Sequence, residues 1–230
     1  MADLLLIRHG QASFGAADYD RLSDTGEEQS RRLGAWLARC GVGAELVATG
    51  RLHRHARTAE LCLDAAGLAG LPRLTLAGLD ELDHVEVLKR HRPDLRDFED
   101  FARELRGQPD PHRAFQRMFA EAVARWSGGR HDHEYERTWP AFRRETLEAL
   151  QALAEHPARG IWAFTSGGPI AVIATELLGA PVERTFALSW NLVNTGITRV
   201  RLGRGAPQLI TYNAWPHLAE AADAALITYR

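Results

Sequence analysis

The chain has 230 residues, 45% of them hydrophobic and 25% charged, which suits one folded domain with a sizeable core. Its formal net charge is −2 at pH 7 and its isoelectric point about 6.6. That balance excludes a global electrostatic case for nucleic acid or an anionic membrane as partner, so any positive potential must be local. Cys40 and Cys62 form no CxxC and read as reduced, buried thiols. No segment has the length to span a bilayer and no cleavable leader pattern is present, so a cytoplasmic location is expected.

Leu4-Leu5-Leu6-Ile7 runs straight into Arg8-His9-Gly10-Gln11. A short apolar run ended by glycine reads as a strand buried on both faces. Ligands of open α/β sheets bind outside the carboxyl ends of such strands, so a cation, an imidazole and a glycine there propose a site. A polar loop through Gly15 leads to Leu22-Ser23-Asp24-Thr25-Gly26, where Ser23 or Thr25 can cap a helix. Leu33, Trp36, Leu37 and Cys40 share one face of that helix and Gly41 ends it. Glu45 to Thr49 reads as a second buried strand. Beyond Gly50, Arg51, His53, Arg54, His55 and Arg57 crowd the start of a helix. Cations oppose the positive end of the helix dipole unless an anion is expected there. Leu74 to Leu79 reads as a third strand, with Asp80, Glu81 and Asp83 past its end.

From Val85 to Trp139 the chain turns charged and carries aromatic and aliphatic residues at three- and four-residue spacing, among them Phe101, Leu105, Phe115, Phe119 and Trp126. This predicts two or three helices forming a cap insertion at approximately 84–139 within one domain of residues 1–230. His131-Asp132-His133 has no carboxylate or cysteine set to complete a metal site, so no metal is expected. Pro140 opens a long helix to about Glu155. Gly160 to Thr165 reads as a fourth buried strand. Ser166-Gly167-Gly168-Pro169 then leads into a helix ending at Gly179, a second amino end suited to an anion. Asn194 to Leu202 alternates and can pair with Gln208 to Asn213 across Gly203-Arg204-Gly205; the last residues suggest a short helix. The expected fold class is α/β, a mostly parallel sheet flanked by helices with an inserted helical cap.

Arg8-His9, Arg54, Glu81 and Ser166 with Gly167 thus fall near strand ends on one edge. Arginine forks match phosphate oxygens, a histidine can attack phosphorus, and a carboxyl can protonate a leaving oxygen. In this order the blocks resemble the histidine phosphatase superfamily, the phosphoglycerate-mutase-like proteins. The carrying residues are Leu-Leu-Ile-Arg8-His9-Gly10-Gln11, Leu22-Ser-x-x-Gly26 with Gln29, and Arg54-His55-Ala56-Arg57-Thr58-Ala59 against the family's Arg-Ala-x-Gln-Thr-Ala. Leu79-Asp80-Glu81 resembles its Leu-x-Glu, and Asn194 to Thr198 its late Asn-x-x-x-Thr.

The resemblance implies His9 as phosphate-accepting nucleophile, Arg8 and Arg54 as phosphate clamps, and Glu81 as the acid and then the base, with no metal or other cofactor. It also exposes departures. The family's Ser-His-Gly-Gly segment reads Thr165-Ser166-Gly167-Gly168 here, so a serine stands where a second histidine is expected. Its loss would cost roughly 2–4 kcal/mol of transition-state stabilisation. His53, His55 and His84 are the candidates to fill the vacancy. The Gly-x-Trp-Glu-Gly segment common after the acid is replaced by Asp83-His84-Val85-Glu86, and Gly15 stands where many members carry an asparagine. The expected function is a metal-independent phosphatase acting on a small phosphorylated substrate, with neither nucleic acid nor membrane as partner; the oligomeric state stays open, a homodimer included. The alternatives are a phosphate-ligand binder without turnover, a phosphoglycerate-type mutase, and a serine hydrolase with Ser166 as nucleophile.

Overall fold

A computed structural model describes residues 2–13, 20–95 and 98–229, so Gly15 lies outside the described residues. The chain forms two units, Met1–Glu81 with Glu145–Arg230, and Leu82–Arg144.

The first unit is built on a six-stranded sheet in the order β3-β2-β4-β1-β5-β6. Strands β1 (Ala2–Arg8), β2 (Leu46–Thr49), β3 (Arg73–Thr75) and β4 (Gly160–Thr165) are parallel neighbours, while β5 (Ile197–Leu202) and β6 (Gln208–Ala214) run antiparallel at one edge. Successive side chains of a strand point to opposite faces. Leu4 and Leu6 accordingly join one core with Leu150 and Leu153 of α6 (Trp139–Glu155) and Ile170 and Ile173 of α7 (Gly167–Leu178). Leu5 and Ile7 join the other with Leu33 and Leu37 of α1 (Asp24–Arg39) and Cys62 and Leu63 of α2 (His53–Ala66). With helices on both faces, the inner strands must be apolar throughout, which is why β1 shows no polar alternation.

Ser23 caps α1 by accepting the Gly26 N–H at 3.1 Å. Gly67 and Gly179 end α2 and α7 in the left-handed region, at φ 69° and 59°. Helices α1 and α2 touch backbone to backbone: a Cβ on Gly34 would lie 2.0 Å from the Cys62 carbonyl oxygen. Neither helix can yield alone, so Gly34→Ala is expected to destabilise the protein by about 2–4 kcal/mol. A fall of the urea midpoint at unchanged slope would show it, and an unchanged midpoint would contradict it.

Three expectations change. The third strand covers only Arg73–Thr75, because Ala77–Leu79 forms a 3-10 turn in which Gly78 abuts the Glu145 backbone. Cys40 is exposed at the end of α1, while Cys62 is buried; both are free thiols. The C-terminal stretch forms two 3-10 turns, Pro216–Leu218 and Ala221–Leu226, in place of one helix, and the short α8 (Thr185–Ser189) was not foreseen.

The second unit holds α3 (His84–His91), α4 (Phe98–Arg106) and α5 (Pro111–Ser127). Asp83 caps α3 through the Val85 and Glu86 N–H groups, and Asp110 caps α5 through Arg113 N–H. Trp126 packs edge-on against Trp139 and Phe142, with centroids 5.4 and 5.5 Å away. His131 bonds Glu134, whose carboxylate also binds Arg125 at 2.6 Å. Among the described residues no group of three or more His, Cys, Asp or Glu is arranged to hold a metal, and no helix is long and apolar enough to cross a membrane.

Candidate active site

Parallel register brings the carboxyl ends of three strands together. Arg8 of β1 lies opposite Thr165 of β4, and Phe164 lies opposite Thr49 of β2. The residues that follow, His9, Gly50 and Ser166, therefore emerge side by side.

His9 is 5% exposed, and its main chain is held from both sides. Its N–H donates to Thr165 O at 2.9 Å, and Asn194 Nδ2 donates to its carbonyl at 3.0 Å. Gly10 N–H donates to Thr58 Oγ1 at 3.0 Å, and Thr58 Oγ1–H donates to Arg54 O at 2.7 Å, which ties the loop to α2. Gln29 accepts the Gln11 N–H and bonds Thr228, whose hydroxyl reaches Asn194. The blocks at Gln29, Thr58 and Asn194 thus form a scaffold around the His9 backbone. A Cβ on Gly10 would lie 2.4 Å from Gly26 O, so the close approach this glycine permits is to the start of α1.

The ring of His9 is equally constrained. Nδ1 lies 2.7 Å from Gly10 O, which accepts only if Nδ1 carries the proton. Nε2 then presents its lone pair, and Arg54 Nε donates to it at 3.2 Å. Burial first, then the charges of Arg54 and Arg8, hold the imidazole well below its usual pKa and keep it neutral.

Arg54 is 6% exposed and turned inward by its place on α2. Its Nη1 donates to Asp20 Oδ1 at 2.8 Å, and Asp20 Oδ2 accepts the His53 N–H at 2.7 Å. The anion expected at this helix start is therefore supplied in part by the chain itself. Asp20 sits in a loop with no recognisable pattern, and its only sequence signal was an acid facing a basic helix start. The remaining cations of the cluster point outward: Arg51 pairs with Asp80 at 2.6 Å, and Arg57 with Glu27 and Glu60. Arg8 binds the Leu192 carbonyl, its charge still acting on His9.

Ser166 is fully buried as the N-cap of α7, and its Oγ lies 2.7 Å from His55 Nε2. The His55 ring centroid is 5.7 Å from that of His9. Glu81 Oε2 accepts the Gly168 N–H at 3.2 Å, placing its carboxylate on the first turn of α7. Contacts therefore run from Arg54 to His9, from His9 to His55, from His55 to Ser166, and across Gly167 and Gly168 to Glu81. Of the three histidines considered for the vacant imidazole, His55 is in this cluster, His53 is exposed, and His84 begins α3 in the second unit.

The buried imidazoles make stability depend on pH. Burial holds His9 and His55 well below 6.5 and pushes His217, bonded to Thr195 Oγ1 at 2.8 Å, down to about 4. Each is neutral when folded and protonates near 6.5 when unfolded, so below that pH the unfolded state binds more protons. Stability is full above about pH 6.5 and falls as pH drops towards 4, His217 alone contributing roughly 3 kcal/mol across that window. Urea unfolding at pH 7.5, 6.0 and 4.5 should show a steadily falling midpoint; a flat profile would contradict neutral burial.

Residues 4–214 match the family model of the histidine phosphatase superfamily (branch 1). Among curated proteins, a 2,3-bisphosphoglycerate-dependent phosphoglycerate mutase of Azorhizobium caulinodans is 32% identical over 99 residues, covering 40% of this chain and 48% of that protein. One from Thermobifida fusca is 40% identical over 79 residues, 31% of this chain and 32% of that one. The chain thus spans about half or less of the length of these curated relatives. Among solved structures, a phosphoserine phosphatase of Entamoeba histolytica with phosphoserine superposes with a TM-score of 0.64 at 19% identity, over 95% of this chain and 100% of that one. A phosphoglycerate mutase of Bacillus anthracis gives 0.65 at 15% identity over 94% of both chains. At these identities the superpositions establish the fold, a mostly parallel six-stranded sheet between helices.

Proposed function

The chain belongs to the histidine phosphatase superfamily, and we propose that within it the protein is a metal-independent phosphomonoester hydrolase working through a phosphohistidine at His9. The observation that carries this reading is the state of the His9 ring. Nδ1–H is fixed on Gly10 O, the ring is neutral, and Nε2 faces a guanidinium. A buried neutral imidazole with one nitrogen committed to the backbone is a nucleophile of fixed tautomer.

The chemistry follows from the neighbours. Arg54 and Arg8 attract a phosphate dianion, and the amino end of α7 at Gly167 offers an N–H donor to its oxygens, the Gly168 N–H being held by Glu81. His9 Nε2 attacks phosphorus as the bond to the ester oxygen breaks, and the carboxyl of Glu81 gives its proton to that oxygen. Water then loses a proton to the Glu81 carboxylate and attacks phosphorus, the P–N bond breaks, and inorganic phosphate leaves. The positive charge on His9 during attack is balanced by the transferred phosphoryl group, so the low-dielectric site favours the intermediate over a free imidazolium. The substrate is a small phosphate monoester in this reading.

The test is hydrolysis of 4-nitrophenyl phosphate in excess chelator, with rapid quenching and phosphate mapping. Turnover with an acid-labile, base-stable phosphoryl group on a His9 peptide is expected. Turnover lost to chelation, or a phosphoryl group on another residue, would overturn the reading.

A further inference from the structure

His55 is a buried polar group that the mechanism above does not use. It is 0% exposed, on the third residue of α2, and its Nε2 lies 2.7 Å from Ser166 Oγ, itself 0% exposed. Gly50 makes room for the ring: a Cβ there would lie 2.4 Å from His55 Nδ1. Among the described residues Nδ1 has no hydrogen-bond partner. A buried imidazole with an unmatched nitrogen is a poor structural filler, since an apolar side chain would occupy the space without that cost. The ring centroid is 5.7 Å from that of His9, so the pair stands beside the proposed nucleophile.

The sequence shows the same pairing from another side. The family's Arg-Ala block reads Arg54-His55 here, and its Ser-His-Gly-Gly segment reads Thr165-Ser166-Gly167-Gly168. A small and a large residue have changed places between two positions that touch.

Resting on the phosphohistidine reading, we propose that His55 and Ser166 act as one unit in place of a single histidine at the amino end of α7. His55 Nε2–H donates to Ser166 Oγ and turns the hydroxyl proton towards a non-bridging oxygen of the phosphoryl group bound for His9. A hydroxyl has one proton and two lone pairs, so it can accept from His55 and donate to phosphate at once. Donation into it strengthens its own outgoing bond. No proton leaves Ser166, and His55, which acts on the phosphoryl group through Ser166, is a positioning residue.

The test compares wild type with His55→Ala, Ser166→Ala, the double alanine variant and the exchange His55→Ala/Ser166→His. Each is measured for kcat and KM on 4-nitrophenyl phosphate, for inhibition by orthovanadate, and for folding by thermal melting. Ser166→Ala removes one oxygen and keeps the test open if His55→Ala fails to fold. Either single variant is expected to lower kcat by about 10–100-fold with KM within about threefold, and to weaken vanadate by a similar factor. The double alanine variant should lose no more than the worse single, and the exchange should regain at least about fivefold over His55→Ala. Additive losses, a Ser166→Ala kcat within about twofold of wild type, or no gain on exchange would overturn the proposal. Labelling of Ser166 by a fluorophosphonate that requires His55 would also overturn it, making the serine itself the nucleophile. If His9→Ala abolishes turnover while these outcomes fail, the phosphohistidine reading stands without the relay; turnover persisting in His9→Ala removes both.

Discussion

Replacing His9 by alanine is expected to lower kcat on an aryl phosphate by roughly 10⁴-fold or more, with phosphate still bound. Among the described residues the side chain bonds Gly10 O and Arg54 Nε alone, while the backbone is held by Thr165, Asn194 and Thr58. Truncation therefore deletes the nucleophile and leaves the loop in place. It also removes the acceptor of the Arg54 Nε–H, leaving that donor to a phosphate oxygen, so inorganic phosphate should bind as tightly as before or tighter. Steady-state kinetics and phosphate titration by calorimetry check both halves. A kcat within tenfold of wild type would assign the attack to another group, and loss of phosphate binding would mean that His9 organises the pocket as well as reacting in it.

Glu81→Gln is expected to separate substrates by their leaving groups. Its Oε2 accepts the Gly168 N–H, so glutamine can keep that contact through its carbonyl while losing the proton. An alkyl phosphate needs that proton, because an alkoxide is a poor leaving group; kcat should fall by about 10²–10⁴-fold. A nitrophenolate leaves without help, so its first step should change little. Its second step still needs a base for water, so the phosphoenzyme should accumulate and the nitrophenolate should appear as a burst of one equivalent. Equal losses on both substrates with no burst would remove Glu81 from proton transfer and leave it a prop for the amino end of α7.

Much of the fold was legible because its signals are local. Four apolar residues before Arg8, the Ser23 cap and the stops at Gly41 and Gly179 each act within a turn or a strand. The segment Ala77–Leu79 reads as strand by its local pattern because the cause of its 3-10 turn is remote: Gly78 abuts the Glu145 backbone, far along the chain. Cys40 is exposed against its spacing for a similar reason, since helical spacing marks a face but not where the covering layer ends.

The site divides in the same way. Residue order alone proposes Arg8, His9, Arg54, Glu81 and Ser166, because they lie near strand ends that local patterns reveal, but not Asp20. Which of these groups meet was decided by parallel register and by helix rotation, both set by packing over long sequence separations. Register put Thr165 opposite Arg8, and with it Ser166 beside His9. Rotation of α2 turned Arg54 and His55 inward while His53 and Arg57 faced out, a choice that a run of basic residues cannot express. The Asp20–Arg54 pair and the His55–Ser166 pair join residues 34 and 111 positions apart. Contacts of that range form only once the helices have docked, so only the tertiary structure decided them.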